Sequence, residues 1–304
     1  MEFKRTFGLD IGGTLAKLAY LDDREPRGPL DFETSQGTVH LKIFESNKID
    51  EIVQFLHRKH FSCDQLAVTG GGAFKYSSVL EEKLNCHVLK LDEMASLHAG
   101  FNLVIQEEAN PSYTYSIKNG FQNYHAQDPP SLLCNIGSGV SIIKLLRDSF
   151  ERVTGSCLGG GTALGLATSI VGVNSYQELL DMCESGNANN ADLLYSDIYG
   201  GHTDETLAVS LGKIAMSDPN EYHKNDIAKS LLNMVAYNIG QIAYLTARIQ
   251  NIDHVYFGGN FIRGYHYTMD RITFSVEYWS NGEIKPLFLK HDGYFGALGA
   301  LTLS

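Results

Sequence analysis

The sequence predicts an α/β protein built from two similar lobes, and three observations carry that reading. Short β-rich runs alternate with amphipathic stretches of helical period, and several of the strands end in glycine-rich turns. The opening motif, Asp10-Ile-Gly-Gly-Thr14, is echoed about 125 residues later by Asn135-Ile-Gly-Ser-Gly139, a spacing that fits a duplicated domain rather than a solenoid array. A length of 304 residues accommodates two domains of ordinary size. A boundary near the end of the Asn110–Pro130 stretch divides the chain into lobes 1–131 and 132–304.

Thr6–Leu9 and Leu15–Leu21 read as two strands of a hairpin joined by the first glycine turn. Glu45–Lys59 carries Ile49, Ile52, Val53, Phe55 and Leu56 at helical spacing, and Leu66–Thr69 is a buried strand running into Gly70-Gly71-Gly72. His87–Leu91 is a further strand. It hands over to a helix, Met94–Gln106, across the acidic pair Asp92-Glu93. Asn110–Pro130 has no clear period and reads as an irregular excursion or a hairpin. Leu132–Ile136 and Val140–Leu146 repeat the opening hairpin around Gly137-Ser138-Gly139. Gly159–Thr162 opens a helix to Val171, and Ser175 with Glu178 has the pattern of a capping box. The longest helix, about Asp226–Ile249, aligns Leu231, Leu232, Val235, Ile239, Ile242 and Leu245 on one face, as either a core or a dimer helix would. His254–Phe257 is a strand ending in Gly258-Gly259-Asn260. Gly293, Gly296 and Gly299 then space the last helix in threes, which suits close helix approach or a ligand.

Composition narrows the functions available. Lys and Arg number 24 against 35 Asp and Glu, a formal charge of −11, the wrong sign for a partner that is a nucleic-acid backbone or an anionic membrane. Neither is expected as a partner. The five cysteines, Cys63, Cys86, Cys134, Cys157 and Cys183, are odd in number and never form a C-x-x-C pair, so no disulfide framework or zinc site is indicated. With no apolar leader after Met1 and no 18-residue apolar run, the expected place is the cytosol.

The glycine turns carry the chemistry. Asp10–Thr14, Asn135–Gly139, Gly159–Thr162 and Gly258–Asn260 can each point backbone N–H groups at one anion, although a tight hairpin or helix start uses the same residues. The chain has no P-loop pattern and no well-placed Rossmann fingerprint.

Taken together these turns resemble the actin, Hsp70 and sugar-kinase superfamily. Within it, an ordered series of motifs resembles the eukaryotic-type (type II) pantothenate kinases over nearly the whole chain. The series comprises Thr69-Gly-Gly-Gly-Ala-Phe-Lys75, Lys90-Leu-Asp-Glu93, Asn135-Ile-Gly-Ser-Gly-Val-Ser-Ile142, Arg152-Val-Thr-Gly155, Leu158-Gly-Gly-Gly-Thr162, Asp197-Ile-Tyr-Gly-Gly201 and Gly293-Tyr-Phe-Gly-Ala-Leu-Gly-Ala300. The resemblance implies a duplicated, two-lobed, actin-like (ribonuclease H-like) ATPase fold. Each lobe would hold a mixed five-stranded sheet with flanking helices, and ATP would lie in the cleft. It implies phosphorylation of the terminal hydroxyl of pantothenate by Mg²⁺-ATP, the first step toward coenzyme A, by a homodimer inhibited by acyl-CoA.

Phosphoryl transfer asks a protein chiefly for positioning and charge neutralisation, plus a base for the hydroxyl proton. The resemblance places Glu93 as that base and Asp10 as the Mg²⁺ ligand. Gly12, Gly13 and Thr14 would surround the phosphates, with Lys17 as a point charge. Gly137, Gly159, Gly160, Gly161, Thr162, Gly258, Gly259 and Asn260 would lie on the nucleotide side. Ser138, Ser141 and Arg152 match positions that contact pantothenate and acyl-CoA, and Trp279 matches an aromatic beside the pantetheine arm. From the residues alone, Lys17 is equally a solvent-facing strand residue, Asp92-Glu93 an acidic first helical turn, and Trp279 a half-buried interface residue. The stretch from His202-Thr203-Asp204 and the Asn110–Pro130 excursion follow the family loosely, which leaves acyl-CoA selectivity open. Two other readings compete: a silent acyl-CoA or nucleotide sensor, which in this family lacks the glutamate and arginine kept here, and a sugar kinase of the superfamily. An Hsp70-like peptide machine is disfavoured by length.

Overall fold

A computed structural model describes residues 3–13, 15–22, 28–60, 62, 64–125, 129–200, 206–216, 218 and 222–303. Thr14, Cys63, Gly201 and His202-Thr203-Asp204 lie outside the described residues.

The first sheet is built from β1 (Phe7–Ile11), β2 (Leu15–Asp22), β3 (Phe32–Thr34), β4 (Gly37–Glu45), β5 (Gln65–Thr69) and β6 (His87–Lys90), in the order β3-β4-β2-β1-β5-β6. The second contains β7 (Ser112–Ser116), β8 (Gly120–Tyr124), β9 (Ser131–Ile136), β10 (Val140–Leu145), β11 (Phe150–Ser156), β14 (His254–Gly258) and β15 (Lys285–Leu289), in the order β11-β10-β9-β14-β15-β7-β8. A small ribbon pairs β12 (Leu193–Leu194) with β13 (Leu207–Val209).

Aligning β1 with β9 makes the duplication explicit. In both sheets an antiparallel edge strand and hairpin (β4-β2-β1, β11-β10-β9) continue into two parallel strands (β5-β6, β14-β15). The expected five-stranded mixed sheet is therefore the common core. The first lobe adds β3 and the second adds the β7–β8 hairpin, so the sheets have six and seven strands. That hairpin, on the N-terminal side of the expected 131/132 division, is hydrogen-bonded to β15 and belongs to the second sheet.

Helices separate and cover the sheets. Ile52, Val53 and Leu56 of α1 (Ile49–Arg58) and Ala73, Leu80 and Leu84 of α2 (Gly72–Leu84) close the outer face of the first sheet over Leu9, Ile11, Leu18 and Phe44. Fully buried aliphatic side chains such as Ile52, Leu56 and Leu80 contribute roughly 1.5–3 kcal/mol each. The outer face of the second sheet is covered by α4 (Gly160–Ile170), α5 (Tyr176–Ser185), α7 (Lys224–Gln250) and α8 (His266–Ser280); α6 (Tyr195–Tyr199) follows β12. On α7, Leu231, Leu232, Val235 and Ile239 enter this core and Ile242 packs against it, whereas Leu245 is half exposed. At the start of α5 the Ser175 hydroxyl accepts the Glu178 N–H, but the Glu178 carboxylate accepts from Asn174 rather than from Ser175, so the capping box is displaced by one residue.

Between the sheets lie α3 (Glu93–Glu107) and α9 (Phe295–Thr302), whose apolar residues form a third core with Ala19, Val39, Leu133, Ile143 and Tyr256. Their close approach uses glycine. A Cβ at Gly100 would stand 2.0 Å from the Phe295 carbonyl oxygen, and one at Gly299 would stand 1.9 Å from that of Ser96. This inter-sheet layer positions the site.

Candidate active site

Asp10, Lys17 and Ile43 lie opposite one another in a row across β1, β2 and β4. Cross-strand partners share a face, and two residues along, Ala19 belongs to the inter-sheet core, so the row looks into the layer between the lobes. Of the two orientations open to Lys17, the structure takes the one beside Asp10, with Nζ 4.0 Å from the carboxylate. The Asp10 carboxylate is walled by bare backbone. A Cβ at Gly70, held at φ +82°, would stand 2.6 Å from one of its oxygens, and a Cβ at Gly296 2.7 Å from the other. Burial pushes the Asp10 carboxyl above its ordinary value; Lys17 pulls it back and the charge of Glu93 pushes it further up. A carboxylate in a side-chain-free recess with a cation beside it is a fitting donor for a hard, oxygen-seeking ion carrying phosphates.

Glu93 begins α3 and is exposed, while Asp92 before it is the N-cap, its carboxylate accepting the Ala95 N–H at 2.8 Å. The adjacent acids thus divide: Asp92 is fixed in the helix start, and the Glu93 carboxylate is near enough to Asp10 to act on its ionisation.

From the second sheet, Ser141 on β10 lies opposite Gly155 on β11, and Arg152 lies opposite Ile143. A bulge between these pairs leaves Val153 without a partner. Three residues apart in a regular strand, Arg152 and Gly155 would point to opposite faces; the extra residue returns Arg152 to the face of Ser141 and Ile143. Its guanidinium accordingly reaches back over Gly155, to within 3.0 Å of where a Cβ would be. Ile143 belongs to the inter-sheet core, so Ser141 and Arg152 face the same layer as Asp10.

The glycine turns are tied in specific ways. The Gly12 N–H donates to the Leu15 carbonyl, and the buried Ser46 hydroxyl donates to the Gly12 carbonyl at 2.8 Å, leaving Gly13 at the open tip. In the second lobe, the Gly160 and Gly161 N–H groups donate to the carbonyls of Gly137 and Ser138 at 2.9 and 3.0 Å. The first amides of α4 therefore hold the β9–β10 turn in place. A Cβ at Gly159 would stand 2.6 Å from the Ser138 carbonyl oxygen, and the Thr162 hydroxyl donates to the Cys157 carbonyl. Gly259, at φ +107°, sits on the Ile136 carbonyl as Gly70 sits on that of Ile11, with Asn260 exposed beyond it.

Trp279 is not brought to this layer. It lies 44% exposed at the end of α8, on the outer side of the second sheet, in a pocket shared with Tyr237, Gln241, Phe274 and Tyr278. Sequence reasoning overlooked Ser46, the specific contacts of Gly70 and Gly296 with Asp10, and an Arg263–Asp292 ion pair at 3.5 Å. The glycines were visible within motifs; the long-range partners of Ser46 and Arg263 left no local signal.

A hydrogen-bonded Ser131–His254–Asp253 chain (3.0 and 2.8 Å) has the order of a hydrolase triad with its exposure inverted. The serine is fully buried and the aspartate exposed, so the chain fastens β9 to β14 and offers no nucleophile. Among the described residues no cluster of His, Cys, Asp or Glu has the grouping of a metal centre, and no helix is long and apolar enough to cross a membrane.

The Fumble family model matches residues 6–303. Pantothenate kinase 1 of Arabidopsis thaliana is 42% identical over 97% of this chain and 84% of its own length. A 4'-phosphopantetheine phosphatase of Mus musculus is 38% identical over 99% of this chain, which spans only 41% of that protein. A ROK family glucokinase from Streptomyces griseus, solved with glucose and AMPPNP, superposes over 97% of both chains with a TM-score of 0.53 at 12% identity, a likeness of fold. The architecture is thus the two-lobed actin-like ATPase fold, and from a family match along almost its entire length the chain belongs to the Fumble family, the type II pantothenate kinases that its motifs resemble.

Proposed function

We propose that the chain is a pantothenate kinase, transferring the γ-phosphoryl group of ATP to the hydroxyl of pantothenate to give 4'-phosphopantothenate, the first step of coenzyme A synthesis. One observation carries the proposal. Asp10 and Lys17 from one sheet, Ser141 and Arg152 from the other, and Glu93 at the start of the intervening helix converge on a single layer.

In this reading Asp10 holds Mg²⁺, which when bound offsets the negative charge of the phosphates. Lys17 and the Gly13 amide bind phosphate oxygens, and Gly12 and Thr14 are assigned to the same phosphates. Gly137 and Gly159–Thr162 hold the opposite wall, and Gly258–Asn260 lies against the nucleotide. The hydroxyls of Ser138 and Ser141 orient the pantothenate hydroxyls, and the Arg152 guanidinium binds its carboxylate. The Glu93 carboxylate accepts the proton of the attacking hydroxyl. Acyl-CoA contains the pantothenate moiety, so Ser138, Ser141 and Arg152 are fit to bind it as an inhibitor. The retention of Glu93 and Arg152 opposes the silent-sensor reading.

The exposed Phe274, Tyr278, Trp279, Leu245 and Ile249 on α7 and α8 form an apolar face suited to a homodimer, in which Trp279 acts across the interface. Sedimentation velocity showing a monomer at micromolar concentration would remove that part. Cys134, Cys157 and Cys183 are free thiols, in keeping with a cytoplasmic enzyme.

The test is Mg²⁺-dependent ADP release with pantothenate, with a panel of hexoses, and without acceptor. Turnover that requires pantothenate is expected; turnover with a hexose alone would transfer the chain to the sugar kinases. Arg152→Ala is expected to raise the pantothenate KM by about tenfold or more, from the loss of a charge-assisted contact, with the ATP KM little changed. A change confined to ATP would show that the acceptor pocket is elsewhere.

A further inference from the structure

The duplication assigns Glu93 a counterpart in the other lobe. The α3–α9 crossing fixes the correspondence, because Gly100 meets Phe295 and Gly299 meets Ser96, reciprocal contacts in which both pairs of equivalents, Gly100 with Gly299 and Ser96 with Phe295, differ by the same 199 positions. Applied to Glu93, that offset lands on Asp292. The two acids occupy equivalent places in opposite environments. Glu93 is exposed and its charge acts on Asp10, whereas the Asp292 side chain is 10% exposed. The Asp292 carboxylate accepts the Gly259 N–H and is paired with Arg263 at 3.5 Å. Gly258 passes so close that a Cβ there would lie 2.9 Å from the Asp292 Cβ, and the Arg263 guanidinium lies directly over Gly293, which has no side chain to obstruct it.

Resting on the reading of Gly258–Asn260 as a nucleotide loop, we infer that Asp292 is a positioning residue for nucleotide binding. It is the counterpart of Glu93, the proposed base, redirected in the second lobe to hold the loop amide at Gly259 in one conformation. Gly259 already occupies a left-handed φ pressed against the Ile136 carbonyl. Such a backbone keeps its place only when its surroundings determine it, and the Asp292 acceptor supplies that determination. A cavity of ≈ 270 Å³ lined by Ile43, Ile262, Arg263, Asp292 and Tyr294 adjoins the pair, giving the loop and Arg263 room to relax once the carboxylate is removed. Arg263 acts one step further back, orienting the carboxylate and balancing its charge.

Asp292→Ala and Asp292→Asn test this by calorimetric titration with AMPPNP, by steady-state kinetics and by thermal melting. Loss of a buried hydrogen bond to a charged acceptor corresponds to about a tenfold or greater weakening, so Asp292→Ala is expected to raise the AMPPNP Kd and the ATP KM by that factor, with the pantothenate KM within about twofold. Asn keeps a carbonyl oxygen for the Gly259 N–H and is expected to restore most of the affinity. Arg263→Gln leaves the acceptor in place and is expected to give a smaller effect in the same direction. A lowered melting temperature with unchanged AMPPNP affinity in Asp292→Ala, or equal losses for the Ala and Asn variants, would overturn the inference. If Asp292→Ala does not fold, the comparison of Asp292→Asn with Arg263→Gln decides it. Wild-type protein that binds AMPPNP but does not phosphorylate pantothenate would count against the proposed function alone.

Discussion

Replacing Glu93 by Gln is expected to lower kcat by about two to four orders of magnitude, the usual contribution of a positioned base, while the affinity for ATP changes little. The substitution preserves shape and removes the proton acceptor. It also leaves the helix start intact, because the N-cap contact to Ala95 comes from Asp92. The two acids therefore separate experimentally. Asp92→Ala should act on stability, by roughly 0.5–2 kcal/mol as for other N-caps, with a modest change in turnover. The Glu93 charge is one of the influences that raise the Asp10 carboxyl, so Glu93→Gln is also expected to move the acid limb of any residual activity to lower pH. Unchanged single-turnover rates for the variant would take Glu93 out of the base's role and direct the search to another acceptor in the inter-sheet layer.

How far the sequence disclosed this arrangement depended on whether the signal was local. Elements with a clean period, such as α7 with Leu231, Leu232, Val235 and Ile239, or the buried strand β5, were legible within a few residues. The β4 strand was not: Thr38, Val39 and His40 are buried in succession, and Lys42 and Ile43 are exposed together, so neither alternation nor a helical stripe appears. The polar edge strand β11 gave no signal beyond its motif, for most of its residues face solvent. The duplication was visible in two five-residue motifs, yet its geometric content, Gly70 and Gly259 on matching carbonyls, required the fold. The site followed the same division. Asp10 and Lys17 lie on one hairpin, and strand pairing brings them together. Arg152 reaches its place through a bulge that reverses the ordinary alternation, so only a resemblance, not the period, could assign it to the face of Ser141. Trp279 had no local signal for its surroundings: its position in the chain matches a ligand contact, and the fold places it half exposed at the end of α8, beside Tyr237, Gln241, Phe274 and Tyr278.

Asp10→Asn is the substitution in which function and stability are expected to move in opposite directions. In the folded protein the Asp10 carboxyl lies above its ordinary value, chiefly through burial. Below the unfolded-state value both states carry the proton and the group contributes nothing to the pH dependence. As pH rises, the unfolded chain releases its proton first, and once the pH passes the raised folded value the ionised carboxylate destabilises the nucleotide-free fold by the full difference. A neutral Asn removes that penalty, so the nucleotide-free variant is expected to melt at or above the wild-type temperature at pH 7, with the difference shrinking as the pH approaches 4, near the ordinary Asp value. Turnover is expected to fall by about 10² to 10³, the scale on which loss of one preorganised electrostatic group acts. The recess formed by Gly70 and Gly296, where a Cβ would crowd the carboxylate, leaves its oxygens room for a cation brought with the nucleotide, alongside the Lys17 ammonium at 4.0 Å. Mg²⁺-ATP should accordingly stabilise the wild type against heat far more than it stabilises Asp10→Asn. A nucleotide-free variant that melts well below wild type at pH 7 would contradict the burial argument, and one with undiminished turnover would remove Asp10 from the phosphate end of the site.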